Sequence, residues 1–298
     1  MNRDAMPMPS DADTLAGRLA GFARHTPDAV AIDEGDERAT FAQLDAIATA
    51  IAQHLAGLGG VHPGRACLFF GNRLAAAKAM LGVARSGHAF VPLDPDDPDE
   101  RLRFMLDDSA PLAMLTEPEL AARARHLAPA GCAVVDITAV AGAAGAQRIA
   151  PVRGEAIAQL LYTSGSTGHP KGVLQTHANQ LFFVDAYARE TGIGEGDRIS
   201  LLHSLRFAAG VFAVFRSVGL GATLCLYDLR RDGVAGLADW LDRERITMLH
   251  AFPAVFREMA AGLPAQRILA HLKVVSLGGE SLFASDFALF REIGRAHV

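Results

Sequence analysis

"YTSGSTGHPKGV", Tyr162 to Val173, places three glycines, four Ser/Thr hydroxyls and one lysine within a dozen residues. The apolar run "AIAQLL" precedes it, and both flanks, "LLYT" and "GVLQT", read as strands. A loop of such small residues leaves backbone N–H groups free to converge on an anion. Thr163, Ser164, Ser166 and Thr167 add hydroxyl donors, and Lys171 adds a mobile point charge. Phosphate groups suit that combination better than a flexible hairpin with incidental hydroxyls would. The P-loop pattern G-x-x-x-x-G-K-[ST] fails, because Pro170 precedes Lys171 and Gly172 follows it. The G-x-G-x-x-G dinucleotide pattern fails as well.

Outward from this loop, short apolar runs alternate with helical patterns. "AVAID" (29–33), "ACLFF", "AFVPL", "PLAMLT" and "CAVVDI" read as strands in the first half. Between them Thr40 opens a helix with apolar residues at Phe41, Leu44, Ile47, Ala48, Ile51 and Leu55, stopped by Gly57, Gly59 and Gly60. "RLAAAKAMLGVARSG" and "PELAARARHL" read as helices, and "DPDDPDERLRFMLDDS" as proline-marked turns running into a helix. After the low-complexity "AVAGAAGAQ" (139–147), read as a surface connection, the alternation resumes. Helices are expected near 177–189, 209–218, "GLADWLDRE" and "AVFREMAAGL". Strands are expected at "RISLL", "ATLCLY", "ITMLH" and "LKVVSL". This order predicts an α/β fold with mostly parallel strands. Residues 1–147 are expected to form a first α/β subdomain and 148–292 a second that carries the loop.

The chain has 298 residues, half of them apolar and a fifth charged, which supports a sizeable core. Its net charge of −5, with Lys and Arg dispersed, argues against a nucleic-acid surface as the main role. Cys67, Cys132 and Cys225 are far apart and set in apolar runs, as expected of buried thiols in a reduced compartment. No Cys/His pair has zinc spacing, and no metal-ligating residue is assigned. The first twelve residues lack the apolar core of a signal peptide. The most apolar later stretch, Leu201 to Tyr227, is broken by His203, Arg206 and Arg216. A soluble, cytoplasmic protein without a membrane span is expected.

"LLYTSGSTGHPKGV" resembles the phosphate-binding signature of adenylate-forming enzymes: acyl-CoA synthetases, firefly-type luciferases and adenylation domains of nonribosomal peptide synthetases. "ATFAQLDAIATAIAQHL" resembles their early "LTYxEL" helix. "RSGHAFVPLDPDDPDERLRFMLDDS" resembles "KAGxAYVPLDPxxPxERLxxMLxDS" and is closest to the peptide-synthetase branch. "ITMLHAFPAVFREM" and "VVSLGGESL" match two later stations in order. The resemblance implies the N-terminal domain of that family, with stacked, mostly parallel sheets flanked by helices. It implies attack of a carboxylate on the α-phosphate of ATP, giving an acyl-adenylate and pyrophosphate. The acyl group then passes to a phosphopantetheine thiol on a carrier protein, or to coenzyme A. By the same resemblance Thr163, Ser164, Gly165, Ser166, Thr167, Gly168 and Lys171 surround the ATP phosphates. Lys171 and Thr163 take catalytic roles, and Mg²⁺ bridges phosphate oxygens.

Two departures matter. Amino-acid-activating relatives carry "FDxS", whose aspartate pairs with the substrate ammonium; here the stretch is Phe207-Ala208-Ala209-Gly210, with Ala208 at the aspartate position. Losing one partner of a buried ion pair costs about 3–5 kcal/mol. An acid without an α-ammonium is therefore expected: an aryl, hydroxy, keto or fatty acid. The same alignment places Phe212, His250, Ser276 and Gly278 beside Ala208 and Ala209 in the acyl pocket. His250 is read as a polar contact to the substrate, His177 as a helix residue rather than a catalyst. Arg206 is open between meeting a substrate anion and facing solvent or phosphate. Glu280, in "GGES", is not assigned to metal.

The second departure is at the end. The family's "YGPTE" and "TGD" motifs, its hinge and its C-terminal domain do not appear by Val298. The expectation is therefore a domain incomplete at its C-terminus and inactive alone. "IGRAHV", Ile293 to Val298, can be encoded by ATC-GGA-AGA-GCA-CAC-GTC and is read as a sequencing-adapter artefact. A free-standing acyl-CoA synthetase and a non-catalytic nucleotide-binding remnant are the rival readings.

Overall fold

Two six-stranded sheets organise the chain. The structure, a computed structural model, describes residues 14–59, 63–140, 147–163, 170–264 and 268–293. In chain order the strands are β1 (Val30–Glu34), β2 (Glu37–Thr40), β3 (Arg65–Phe69), β4 (Ala89–Leu93), β5 (Ala113–Thr116) and β6 (Ala133–Asp136). They continue with β7 (Ile157–Thr163), β8 (Lys171–Thr176), β9 (Arg198–Leu201), β10 (Thr223–Leu226), β11 (Met248–Ala251) and β12 (Val274–Leu277). The first sheet runs β12-β11-β9-β10-β1-β2 and the second β6-β5-β3-β4-β7-β8. Each has one antiparallel pair, β1–β2 and β7–β8; the other pairings are parallel.

The α/β expectation with mostly parallel strands is met. The boundary expected at residue 147 does not separate the sheets, however. β1 and β2 join β9–β12, while β7 and β8 join β3–β6. Apolar periodicity shows that a segment is a strand, but a strand's partner depends on which core its inner face fills. Residues 141–146, within the low-complexity connection, lie outside the described residues.

That core lies between the sheets. Ile32 of β1 and Leu224 and Leu226 of β10 pack with Leu68 of β3, Phe90 of β4 and Leu161 of β7. Three helices, Phe41–Gly57, Arg73–Ser86 and Ala208–Leu220, contribute to the same cluster. Phe90 and Phe215 meet there with ring centroids 6.2 Å apart. Alternation sends Ala66 and Leu68 inward and Cys67 and Phe69 to a second cluster beneath the helix Asp99–Ser109. Likewise Leu224 and Leu226 face the central core, while Cys225 joins a third cluster around Trp240. Strands covered on both faces explain the near-continuous apolar runs of the sequence. Burial pushes the Cys67 and Cys225 thiols up to about 12, as befits inert core residues.

Local signals set the helix starts. Thr40 caps Phe41–Gly57 through a reciprocal box with Gln43, and Thr176 caps His177–Thr191 the same way with Asn179. No described helix is long and apolar enough to cross a membrane.

Candidate active site

The C-terminal ends of β4, β7 and β9 converge, which is where open parallel sheets place ligands. A cleft of about 480 Å³ lies there. Its walls include Asp94 and Asp97 after β4, Tyr162 and Thr163 at the end of β7, and Arg206, Phe207 and Ala208 after β9. The cleft therefore joins the strand that leads into the glycine-rich loop to the head of the helix Ala208–Leu220.

β7 and β8 form the hairpin expected on either side of that loop. Thr163 and Lys171 are directly opposed across it, and the Thr163 hydroxyl donates to the Lys171 carbonyl at 3.3 Å. Opposed residues of an antiparallel pair present side chains on one face. An exposed hydroxyl and an exposed ammonium thus stand together at the cleft's edge, an arrangement that fits a polyphosphate. Ser164, Gly165, Ser166, Thr167 and Gly168 lie outside the described residues. Tyr162, one residue back, donates from its hydroxyl to Asp108 at 2.6 Å, fixing the strand end to the helix Asp99–Ser109. Burial, then the hydrogen bond to Asp108 and that carboxylate's charge, push the phenol well above its usual range.

The acids in the cleft are already engaged. Arg206 pairs with Asp94 at 3.3 Å and with Asp97 at 3.1 Å, and Asp97 also meets Arg101 at 3.4 Å. The Arg206 guanidinium covers the Phe207 ring at 4.5 Å. Of the two readings open for Arg206 in the sequence, neither describes its actual partners, which are carboxylates of the loop after β4. Sequence reasoning missed these acids as site residues because "DPDDPDE" looks like an ordinary acidic turn.

Ala208 is the first residue of its helix and exposed; Ala209 and, one turn on, Phe212 are half-buried. Gly210 lets this helix approach the preceding turn, since a Cβ there would lie 2.4 Å from the Ser204 carbonyl oxygen. Across from the helix, His250 of β11 and Ser276 of β12 are register partners. Gly278 follows β12, and its N–H donates to Ala251 at 3.3 Å. Phe212 is tied to β11 through Arg216, which stacks on the Phe212 ring and reaches Met248 of that strand. The proposed pocket residues therefore occupy neighbouring elements.

The His250 ring meets that of His203 in a tilted contact with centroids 4.6 Å apart, and His203 meets Phe252 likewise at 4.4 Å. Burial, with the fields of His203 and Arg216, pulls the His250 imidazole down to about 3, and burial pulls His203 down to about 4. Both are neutral at pH 7 and can exchange hydrogen bonds without carrying charge. His177 begins the helix His177–Thr191, fully buried and away from the cleft lining, consistent with its reading as a helix residue.

Comparison with known proteins agrees with this geometry. The family model described as AMP-binding enzyme matches residues 19–298. Surfactin synthase subunit 2 of Bacillus subtilis is 28% identical over 94% of this chain, which spans 8% of that protein. A crystal structure of the nonribosomal peptide synthetase FmoA3 superposes with a TM-score of 0.85 at 25% identity, over 99% of this chain and 32% of that one. The o-succinylbenzoate CoA synthetase of Bacillus subtilis, in complex with its acyl-adenylate intermediate, superposes with a TM-score of 0.81 at 27% identity, over 92% of this chain and 56% of that one. The chain belongs to the AMP-binding enzyme family, and the resemblance read from its motifs is borne out.

Proposed function

We propose that the protein carrying this chain activates a carboxylic acid with ATP as an acyl-adenylate and transfers the acyl group to a phosphopantetheine thiol on a carrier protein. One observation carries the reading: Thr163 and Ala208 line the same cleft, so the phosphate end and the acyl end of one adenylate have adjoining places. Thr163 and Lys171 hold the ATP phosphates from the hairpin edge, with Ser164, Gly165, Ser166, Thr167 and Gly168 completing the grip. Their donors stabilise charge that moves onto the leaving pyrophosphate. Mg²⁺, bound to the phosphates, would share that task. Ala208, Ala209, Phe212, His250, Ser276 and Gly278 bound the acyl group and hold its carboxylate in line with the α-phosphate.

The acid carries no α-ammonium. Ala208 offers no charge, and the carboxylates lining the cleft, Asp94 and Asp97, are both occupied by Arg206. The carrier-bound acceptor rests on the peptide-synthetase form of Arg85 to Ser109 and on the peptide-synthetase relatives. Coenzyme A is the second reading, favoured by the likeness to a CoA synthetase.

ATP–pyrophosphate exchange by the full-length enzyme, across a panel of acids, tests the proposal. Exchange with acids lacking an amino group is expected; exchange confined to α-amino acids would overturn the pocket reading, and none with any acid would overturn adenylation. Offering coenzyme A and a phosphopantetheinylated carrier side by side decides the acceptor.

A further inference from the structure

Helix Ala208–Leu220 carries a single charge in a largely apolar sequence, and that charge is buried. Arg216 is 1% exposed. Its guanidinium lies 4.0 Å from the Tyr187 ring centroid and 4.5 Å from that of Phe212. Nη1 is 3.0 Å from Met248 Sδ, a weak acceptor, and Nε has no hydrogen-bond partner. None of the ion pairs among the described residues includes Arg216. Among the described residues every other large charged side chain is at least partly exposed or paired with an acid, so this cation stands apart. Burying a guanidinium without an anion is costly, and aromatic faces return only part of the lost hydration.

Its position is specific. Met248 and His250 are two apart on β11 and share one face, and their register partners are Val274 and Ser276. Phe212, His250, Val274 and Ser276 are all half-buried, so solvent reaches part of this face while Arg216 and Met248 lie buried beneath it. Side chains on a helix lean toward its N-terminus. The guanidinium accordingly sits at the level of Phe212, one turn, or roughly 6 Å, below Ala208. Burial draws its pKa down to about 10, which leaves it charged at neutral pH.

We propose that Arg216 determines specificity by pairing with a second carboxylate at the far end of the acyl substrate, which is a short dicarboxylic acid. This rests on the acyl-adenylation reading above and names its substrate class. The substrate's two carboxylates stand about one helical turn, ~6 Å, apart: one is activated beside Ala208, the other meets Arg216 behind Phe212. The pair would supply the anion that the fold withholds, with the planar fork of arginine matched to a carboxylate.

Pyrophosphate exchange by the full-length enzyme with glutarate and adipate against pentanoate and hexanoate tests this at matched chain length. The wild type is expected to prefer the diacids. Arg216→Met, close in volume and apolar, should raise KM for the diacids by about 10–100-fold while leaving the monoacids unchanged or improved. Arg216→Lys should restore part of the diacid preference. Two results would overturn the proposal: a wild type that prefers monoacids, or an Arg216→Met variant that loses activity equally on both classes, as a purely structural arginine would. The wild-type comparison stands even where a variant fails to fold. Exchange with monoacids alone sinks this inference and spares adenylation, whereas no exchange with any acid sinks both.

Discussion

Arg206 and Asp97 form an ion pair at 3.1 Å that joins the loop after β9 to the loop after β4, and so ties one sheet to the other across the cleft. Asp94 is held by the same guanidinium. One arginine thus links the segment that leads into the helix Ala208–Leu220 to the acidic loop after β4.

Replacing Arg206 with leucine leaves Asp94 without an ion-pair partner among the described residues, while Asp97 keeps Arg101. The pair is partly buried, so a loss of about 1–3 kcal/mol is expected. Urea denaturation should show a lower midpoint, and pyrophosphate exchange a raised KM for the acid. An unchanged midpoint would mean that the two loops are held by something else.

Gly210 is expected to tolerate no side chain. Alanine would press its Cβ on the Ser204 carbonyl, which is backbone and cannot swing aside. The helix Ala208–Leu220 must then lift from the turn that seats it, at a cost of about 1–3 kcal/mol. Thermal melting of Gly210→Ala measures the cost. Exchange activity should fall further than the stability loss explains, because Ala208 and Phe212 move with the helix.

The glycine-rich hairpin, the cap at Thr40 and most strands were legible because each is a local signal: turn residues, an S/T-x-x-Q box, an apolar run. β2, "ERAT", was not, since a polar edge strand paired only with β1 has no alternation to show. Sheet membership was illegible for a different reason. β1 and β10 pair across nearly two hundred residues, and nothing local records that. In the site, the glycine-rich hairpin could be read from composition, whereas Arg206's acids could not, because a charged turn looks alike whether solvated or paired. Arg216 did leave a trace, a lone charge within "VFAVFRSVGL". It was read only as a break in an apolar stretch.

Lys171 is exposed at the start of β8, so its replacement should leave the fold intact. Lys171→Ala is expected to shift stability by less than about 0.5 kcal/mol. By contrast, the exchange rate should fall by about 10²–10³-fold in kcat, the usual effect of removing one donor from developing charge. Thr163→Val should cost less, because its hydroxyl also serves the hairpin through the Lys171 carbonyl. A Lys171→Ala enzyme with normal kcat would remove the ammonium from the phosphate site.

His177 offers the clearest pH test. It is 0% exposed, and neither ring nitrogen has a hydrogen-bond partner. Burial pulls its pKa from 6.5 down to about 4. Between those values the unfolded chain binds the proton and the folded one does not. Its contribution to stability is therefore fully present above pH 6.5 and is lost as pH falls toward 4, by about 3 kcal/mol. His203 acts with the same sign over the same window, and His250 extends it to about pH 3. His177→Leu removes one of the three and replaces an unsatisfied ring with an apolar side chain. The urea midpoint at pH 7 should hold or rise, since an unpartnered buried polar group is lost. Between pH 6.5 and 4 the midpoint should fall less steeply than in the wild type. Equal slopes for both proteins would show that His177 takes up its proton in the folded state as readily as in the unfolded one.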